Sequence, residues 1–273
     1  MATAVVNGVR LFYELTGTGD VPLVLVHGSW DSHAAWDLVV PRLAESFRVV
    51  VYDRRGHSAS ERVAGQGSVR EDVADVATLI EQLGLAPAWV VGNSFGAAIT
   101  LRLAAERPEL LRGMVAHEPP LFGLLAGDPA LAPLLEDVQR GIAAVVPLIE
   151  AGDHAAAAEL FVDRVALGPG AWAALAPEVR QTLIENAPTF LDEVRDPEAL
   201  RFELDRLRAF TRPALLTMGD QSPPTFAPVV RKLAPVIPRV EVRVLAGVGH
   251  VPHMTHPEEY AGVVEGFVRA HGG

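Results

Sequence analysis

Short runs rich in apolar and β-branched residues recur along the chain, and the stretches between most of them have apolar residues at helical spacing. Runs of this kind are typical of strands that helices cover on both faces. Strands are predicted at residues 21–26, 47–52, 88–91, 111–117, 213–218 and 240–245. Because strand and helix alternate, the pattern indicates a parallel sheet with right-handed crossovers.

The first strands of the chain are predicted to be antiparallel. Val5–Tyr13 is predicted to form two short strands around Asn7-Gly8, the strongest local signal for an antiparallel hairpin. The residues Ser68-Val69-Arg70-Glu71 match a capping box, and an apolar face then continues to Gly84, which predicts a helix. Further helices are predicted at residues 36–44, 97–106, 228–233 and 257–269.

Between residues 118 and 212 the alternation stops. This stretch is rich in Ala, Leu, Pro and Glu and lacks the β-branched runs seen elsewhere. Its segments 154–167 and 177–184 have the pattern of short helices. We therefore predict two units: a sheet-containing core domain of residues 1–118 and 210–273, and a helical insertion of residues 119–209.

Composition narrows the classes of function. The chain has 273 residues, of which 49% are hydrophobic, so it can bury a full core. A formal charge of −11, with Lys232 as the only lysine, argues against a nucleic-acid partner. The absence of cysteine excludes disulfides, thiolate metal sites and a cysteine nucleophile. With neither a signal-peptide pattern nor a membrane-spanning run, we expect a cytoplasmic protein without a membrane partner.

A serine lies where one predicted strand turns into a helix. The run 88–91 leads into Gly92-Asn93-Ser94-Phe95-Gly96, and small residues that favour a helix follow. A sharp strand-to-helix turn strains the serine backbone and requires neighbours without bulk, which the two glycines provide. This pattern is the signature of a nucleophile elbow, although five residues alone also occur by chance in loops.

Other strand ends supply the groups that such a serine needs. Ligands of open α/β sheets bind beyond the carboxyl ends of the strands. A serine hydroxyl needs an imidazole base, and the base needs a carboxylate that orients it. His250 and Asp220 follow predicted strands, and we predict that they form a catalytic triad with Ser94.

Rival residues exist for the base and for the acid. His253 and His256 lie near His250, but only His250 directly follows Gly247-Val248-Gly249. Glu118, in His117-Glu118-Pro119-Pro120, is the rival for the acid. Asp53 could also compete for that role, but a structural role in its loop is the better interpretation.

Taken together, these motifs resemble the α/β-hydrolase superfamily, in which the triad order along the chain is Ser, Asp, His. The resemblance covers nearly the whole chain and rests on the following segments: His27-Gly28, Asp53-Arg54-Arg55-Gly56-His57-Ser58, Gly92-Asn93-Ser94-Phe95-Gly96, Gly219-Asp220 and Gly249-His250. It implies an α/β fold with a mostly parallel eight-stranded sheet flanked by helices and a helical cap (lid) inserted after strand 6. It also implies an oxyanion hole formed by the backbone N–H groups of Ser29 and Phe95.

The cap is expected to close over the sheet edge and shape an apolar pocket for a small-molecule substrate. We predict that Trp30, His33 and Phe122 contact this substrate. No cofactor is implied, and the clustered histidines lack the spacing of a recognised metal site. A homodimer is left open.

Three functions fit this reading. The first is a serine esterase or lactonase. The second is a carbon–carbon bond hydrolase of the ring-fission or diketone type, although such enzymes usually have Gly-Pro-Gly where this chain has Trp30-Asp31-Ser32. The third is a ligand receptor with slow turnover on the same fold. Epoxide hydrolases and dehalogenases are disfavoured, since they need a carboxylate in place of Ser94.

Overall fold

An eight-stranded sheet forms the centre of the protein in a computed structural model that describes residues 2–272. The strands are β1 (Ala2–Val6), β2 (Val9–Thr16), β3 (Pro22–Val26), β4 (Arg48–Tyr52), β5 (Ala88–Asn93), β6 (Leu111–His117), β7 (Ala214–Gly219) and β8 (Val240–Leu245). Their order across the sheet is β1-β2-β4-β3-β5-β6-β7-β8. The pairs β1–β2 and β2–β4 are antiparallel and the other pairs are parallel, which confirms the predicted mostly parallel sheet.

Eleven α-helices accompany the sheet within the described residues. They are α1 (Val40–Leu43), α2 (Val69–Gln82), α3 (Phe95–Glu106), α4 (Ala132–Glu150), α5 (His154–Phe161), α6 (Ala171–Ala174), α7 (Pro177–Asn186), α8 (Phe190–Arg195), α9 (Phe226–Leu233), α10 (Pro252–Thr255) and α11 (Pro257–His271). The predicted cap of α2 is present, because the Ser68 hydroxyl accepts a hydrogen bond from the backbone N–H of Glu71.

Local sequence explains why the predicted hairpin is present and why the helix predicted at 36–44 is not. Asn7 and Gly8 both have positive φ, 49° and 82°, which joins β1 and β2 through the predicted tight turn. The single helix predicted at 36–44 is wrong: a short 3₁₀ turn, His33–Trp36, is followed by the separate helix α1. Pro41 lies in the first turn of α1, where its missing N–H costs nothing, whereas a continuous helix would place it inside.

Every helix or turn between β6 and β7 belongs to one helical segment, which we define as residues 122–209. The predicted segments contain all of α5 and most of α7 but not α4, the 19-residue helix that is the longest in the segment. Two acidic side chains of the helical segment accept hydrogen bonds from backbone N–H groups near the start of α2. The Val69 N–H donates to Asp196 at 2.8 Å, and the Gly67 N–H donates to Asp192 at 2.8 Å. The division into a core domain and a cap stays a prediction.

The two faces of the sheet bury separate apolar clusters. Val24, Val50 and Val90 pack on the face covered by α2 and α3, whereas Leu25 and Val91 pack on the other face with α11. Successive side chains of a strand point to opposite faces, so strands covered on both sides are apolar throughout. None of the helices in residues 2–272 has the length and apolarity needed to cross a membrane.

Gly92 on β5 is predicted to contribute strongly to the stability of the fold. A Cβ at this position would overlap the backbone of Gly96, so Gly92→Ala should lower the free energy of unfolding by about 3 kcal/mol. Gly266→Ala is the matched control, because a Cβ there meets nothing within 4 Å on α11 and should stabilise the protein by up to about 1 kcal/mol. Urea unfolding curves measure both changes, and equal effects would contradict the packing argument.

Candidate active site

Ser94 occupies a strained turn between β5 and α3. Its backbone has φ 53° and ψ −122°, outside the regions that L-residues usually adopt. A Cβ at Gly92 would overlap the Gly96 carbonyl, and a Cβ at Gly96 would overlap the Val26 carbonyl of β3. The two glycines therefore allow α3 to start against the sheet, and this start places the serine at the carboxyl end of the strands.

His250 lies in the loop after β8 and is 4% exposed. Its ring stacks on Phe226, with ring centroids 4.0 Å apart and planes 17° apart. The side-chain amide of Asn93, the neighbour of Ser94, donates to the His250 carbonyl oxygen at 2.8 Å. These contacts fix the ring and tie its loop directly to the serine turn.

Glu118 is the carboxylate partner of His250. The Nδ1 atom of His250 is 2.7 Å from Glu118 Oε2, while Glu118 Oε1 accepts a hydrogen bond from the Gly219 N–H at 2.7 Å. Glu118 directly follows β6 and has φ 47°. Burial opposes its ionisation, but the hydrogen bond from His250 and the nearby imidazoles outweigh burial and lower its pKa below the ordinary value.

The prediction that Asp220 partners His250 is wrong. Asp220 is exposed, and its carboxylate accepts hydrogen bonds from the Gly247 N–H at 2.7 Å and from Gln221 at 3.1 Å. It thus shapes the loop that leads to His250 without reaching the ring. Both Asp220 and Glu118 follow strands that end at the same edge, and only the backbone conformation after each strand decides which one meets the imidazole.

His117, Glu118 and His250 also present ligand-type atoms within 4.8 Å of one another. Both oxygens of Glu118 already accept hydrogen bonds, and His117 Nδ1 is 2.9 Å from the Thr217 hydroxyl. A metal ion bound here would have to break the hydrogen bond between His250 and Glu118. The donor set therefore fits an oriented imidazole better than a metal centre.

The loop after β3 brings Ser29 to the serine. A Cβ at Gly28 would lie 3.1 Å from the Ser94 Cβ, so the two backbones pass close together. The buried His27 ring holds this loop: its Nε2 accepts from the Arg54 N–H at 3.0 Å, and its Nδ1 donates to the Gly28 carbonyl at 2.9 Å. Burial and the Arg54 charge lower the His27 pKa to about 3, in agreement with a neutral ring in this tautomer.

Arg54 and Glu193 form a buried ion pair beside this loop. Arg54 Nη1 lies 3.0 Å from Glu193 Oε1, and the other Glu193 oxygen accepts from the Ser29 hydroxyl at 2.5 Å. Burial raises the pKa of Glu193 to about 7. Sequence reasoning missed Glu193, because a glutamate in a short helix of the insertion carries no motif.

Two cavities meet at Ser94. The first cavity spans about 520 Å³ and the second about 410 Å³, and both volumes include space that is open to solvent. Both are lined by Ser29, Ser94, Phe161, Ala166 and His250.

Most other residues that line the two cavities are apolar, but each cavity also has one carboxylate. Asp31 borders the first cavity and Glu193 the second. Burial raises the pKa of Asp31 to about 7. Because Ser94 and His250 line both cavities, a reacting group at Ser94 would have space for a substituent on either side.

Two of the three predicted substrate contacts are corrected. Trp30 is fully buried and stacks on Phe161, 4.6 Å between centroids, so it supports the cavity wall from behind. His33 binds Asp53 at 2.8 Å and packs on the Phe12 ring away from both cavities. Phe122 does line the second cavity. The loop after β3 turns sharply at Trp30, with φ 66°, which a sequence pattern does not show.

Comparisons with known proteins agree with this architecture. The sequence model described as alpha/beta hydrolase fold matches residues 21–257. The uncharacterized hydrolase YraK of Bacillus subtilis (strain 168) is 36% identical over 129 residues, so this match spans 46% of the chain and about half (47%) of that relative. The pimeloyl-[acyl-carrier protein] methyl ester esterase of Yersinia pseudotuberculosis (serotype IB, strain PB1/+) is 24% identical over 94% of this chain and 97% of its own length.

A solved structure shows the same fold. A thermophilic esterase from Thermogutta terrifontis superposes with a TM-score of 0.79 at 22% sequence identity, covering 99% of this chain and 98% of the other. The family match covers most of the chain, including the segments that carry Ser29, Ser94, Glu118 and His250. The chain therefore belongs to the α/β hydrolase fold family.

Proposed function

We propose that the protein is a serine hydrolase that cleaves an ester or lactone of a small, moderately hydrophobic substrate through an acyl-enzyme on Ser94. One observation carries the proposal: the strained Ser94 and the His250–Glu118 pair converge where two largely apolar cavities meet. The near full-length likeness to a methyl ester esterase supports the same class of reaction.

In the proposed reaction, His250 removes the proton of the Ser94 hydroxyl as Oγ attacks the substrate carbonyl carbon. Glu118 stabilises the imidazolium that results, and the proton then passes to the leaving alkoxide. The backbone N–H groups of Ser29 and Phe95 are the proposed oxyanion donors, each worth about 3 kcal/mol in the transition state. Water attacks the acyl-enzyme in a second, equivalent cycle that frees Ser94.

The cavities support a neutral substrate with two apolar arms. We propose that the carbonyl lies at the junction and that the acyl and alcohol parts occupy one cavity each. Much of the apolar wall comes from the helical segment, including Phe161 and Leu183, so this segment would act as a cap over the site.

Replacing Ser94 tests the nucleophile. In Ser94→Ala, we expect kcat/KM for 4-nitrophenyl butyrate to fall by about 10⁴ to 10⁶, because no covalent intermediate can form. Burst and steady-state absorbance measure the loss, and a matching thermal unfolding midpoint serves as the control for folding. Turnover of esters that persists in this variant would contradict the serine mechanism.

Glu118 and Asp220 are distinguished by a pair of amide substitutions. Both Glu118 oxygens accept hydrogen bonds, and an amide can accept at only one of them. Glu118→Gln should therefore misorient His250 or leave the Gly219 N–H unpaired, and lower kcat by about 10² to 10⁴. Asp220→Asn keeps an oxygen for the Gly247 N–H and should lose less than about threefold. A loss of kcat in Asp220→Asn that exceeds the loss in Glu118→Gln would instead identify Asp220 as the acid.

Substrate charge tests the two cavity carboxylates. Two negative charges about 5 Å apart repel by about 3 kcal/mol at an effective dielectric constant near 20. With Asp31 and Glu193 at the cavities, we expect kcat/KM at pH 8 to be at least about tenfold lower for 4-nitrophenyl hemiglutarate than for the neutral 4-nitrophenyl pentanoate. Equal values for the two esters would refute the charge preference.

A further inference from the structure

Glu193 is a buried carboxylate that takes no part in the reaction proposed above, although it borders the second cavity. It lies on α8 in the helical segment and is 4% exposed. One carboxylate oxygen accepts from the Ser29 hydroxyl at 2.5 Å, and the other accepts from Arg54 at 3.0 Å. Ser29 follows β3 and Arg54 follows β4, so Glu193 joins the helical segment to two loops at the edge of the sheet.

Arg54 also contacts the backbone or side chain next to both predicted oxyanion donors, since the Gly28 carbonyl and the Ser29 N–H belong to the same peptide group. Its Nη1 atom, which binds Glu193, also donates to the Gly28 carbonyl at 3.2 Å. Its guanidinium carbon lies 4.6 Å from the centroid of the Phe95 ring. Glu193 therefore acts on the Ser29 side chain directly, and on Gly28 and Phe95 through one arginine.

Stability alone does not explain a carboxylate at this position. Arg54 is already bound by Asp72, through Nε at 3.0 Å and Nη2 at 2.9 Å. One buried cation thus lies between two carboxylates, and such groups are frequently less stable than apolar side chains of similar volume. What Glu193 supplies is a pair of acceptor atoms that hold Ser29 and Arg54 at the same time.

We propose that Glu193 is a positioning residue for the oxyanion hole: it holds the Gly28–Ser29 loop against Ser94, directly and through Arg54. The helical segment thereby organises the backbone that receives the oxyanion. This inference rests on the proposed function, in which the Ser29 N–H is an oxyanion donor. Displacement of a donor by about 1 Å can reduce a rate by about 100-fold, so a modest shift of this loop has a large effect.

The test separates positioning from substrate binding. In Glu193→Leu, we expect kcat to fall about 30-fold while KM changes less than about threefold, because the oxyanion interaction is stronger in the transition state than with bound substrate. A trifluoromethyl ketone forms an oxyanion on the serine, so its inhibition constant should rise by a similar factor. A merely structural role would leave the affinity of the correctly folded fraction for this inhibitor unchanged.

Two variants serve as controls. Glu193→Gln can accept from Arg54 with its oxygen and donate to the Ser29 hydroxyl with its nitrogen, so it should stay within about threefold of the wild-type kcat. Arg195 lies on α8, as Glu193 does, and forms an exposed ion pair with Glu150 of α4. Arg195→Gln removes this pair and should leave kcat and inhibitor affinity unchanged. Equal losses in Glu193→Leu and Arg195→Gln, or unchanged inhibitor affinity in Glu193→Leu, overturn the proposal.

A second route covers the case in which Glu193→Leu does not fold. Ser29→Ala removes only the hydroxyl that binds Glu193 and keeps the backbone N–H. A loss of about tenfold in kcat at unchanged KM supports the positioning role, and an unchanged kcat overturns it. Ser94→Ala in the same assay separates the two proposals: residual ester turnover there refutes the proposed function, whereas an inactive Ser94→Ala beside a fully active Glu193→Leu refutes only the role of Glu193.

Discussion

The close approach of α3 to β3 and β5 is the constraint on which the site depends. Two glycines permit it, because a Cβ at Gly92 or Gly96 would overlap backbone carbonyls. The same approach strains Ser94 and leaves its N–H to bind the His117 carbonyl of β6 at 2.9 Å. Strain of this kind persists only where packing over-determines it. The serine is thus fixed by the sheet itself and does not depend on a mobile loop.

The end of β6 extends this rigid unit to the base. Glu118 directly follows His117, and one of its oxygens is fixed by the Gly219 N–H at the end of β7. The remaining oxygen faces His250, while Asn93 holds the histidine loop from the serine side. Each group is oriented by backbone hydrogen bonds at neighbouring strand ends, which is the preorganisation that acid–base catalysis requires.

Charge is distributed unevenly around the serine. Glu118 is kept ionised by its imidazole neighbours, whereas burial raises the pKa values of Asp31 and Glu193 to about 7. The first carboxylate supports the base, and the other two border the space for the substrate. Glu193 also connects the helical segment with Arg54, so the helices that line the cavities and the loop beside Ser94 form one hydrogen-bonded unit.

The sequence by itself determined the sheet, the hairpin, the serine turn and the helical insertion, because these depend on local periodicity, on turn residues and on two glycines. It also determined that a carboxylate at a strand end would meet His250. Only the tertiary structure decided that this carboxylate is Glu118 and not Asp220, since both follow strands ending at one edge and a positive φ at Glu118 turns it toward the ring. The positions of Trp30, His33 and Glu193 could not be predicted from local patterns either. Trp30 packs behind a cavity wall, His33 binds Asp53 away from the cavities, and Glu193 binds Arg54. Each of these contacts depends on packing between segments that are distant in the chain.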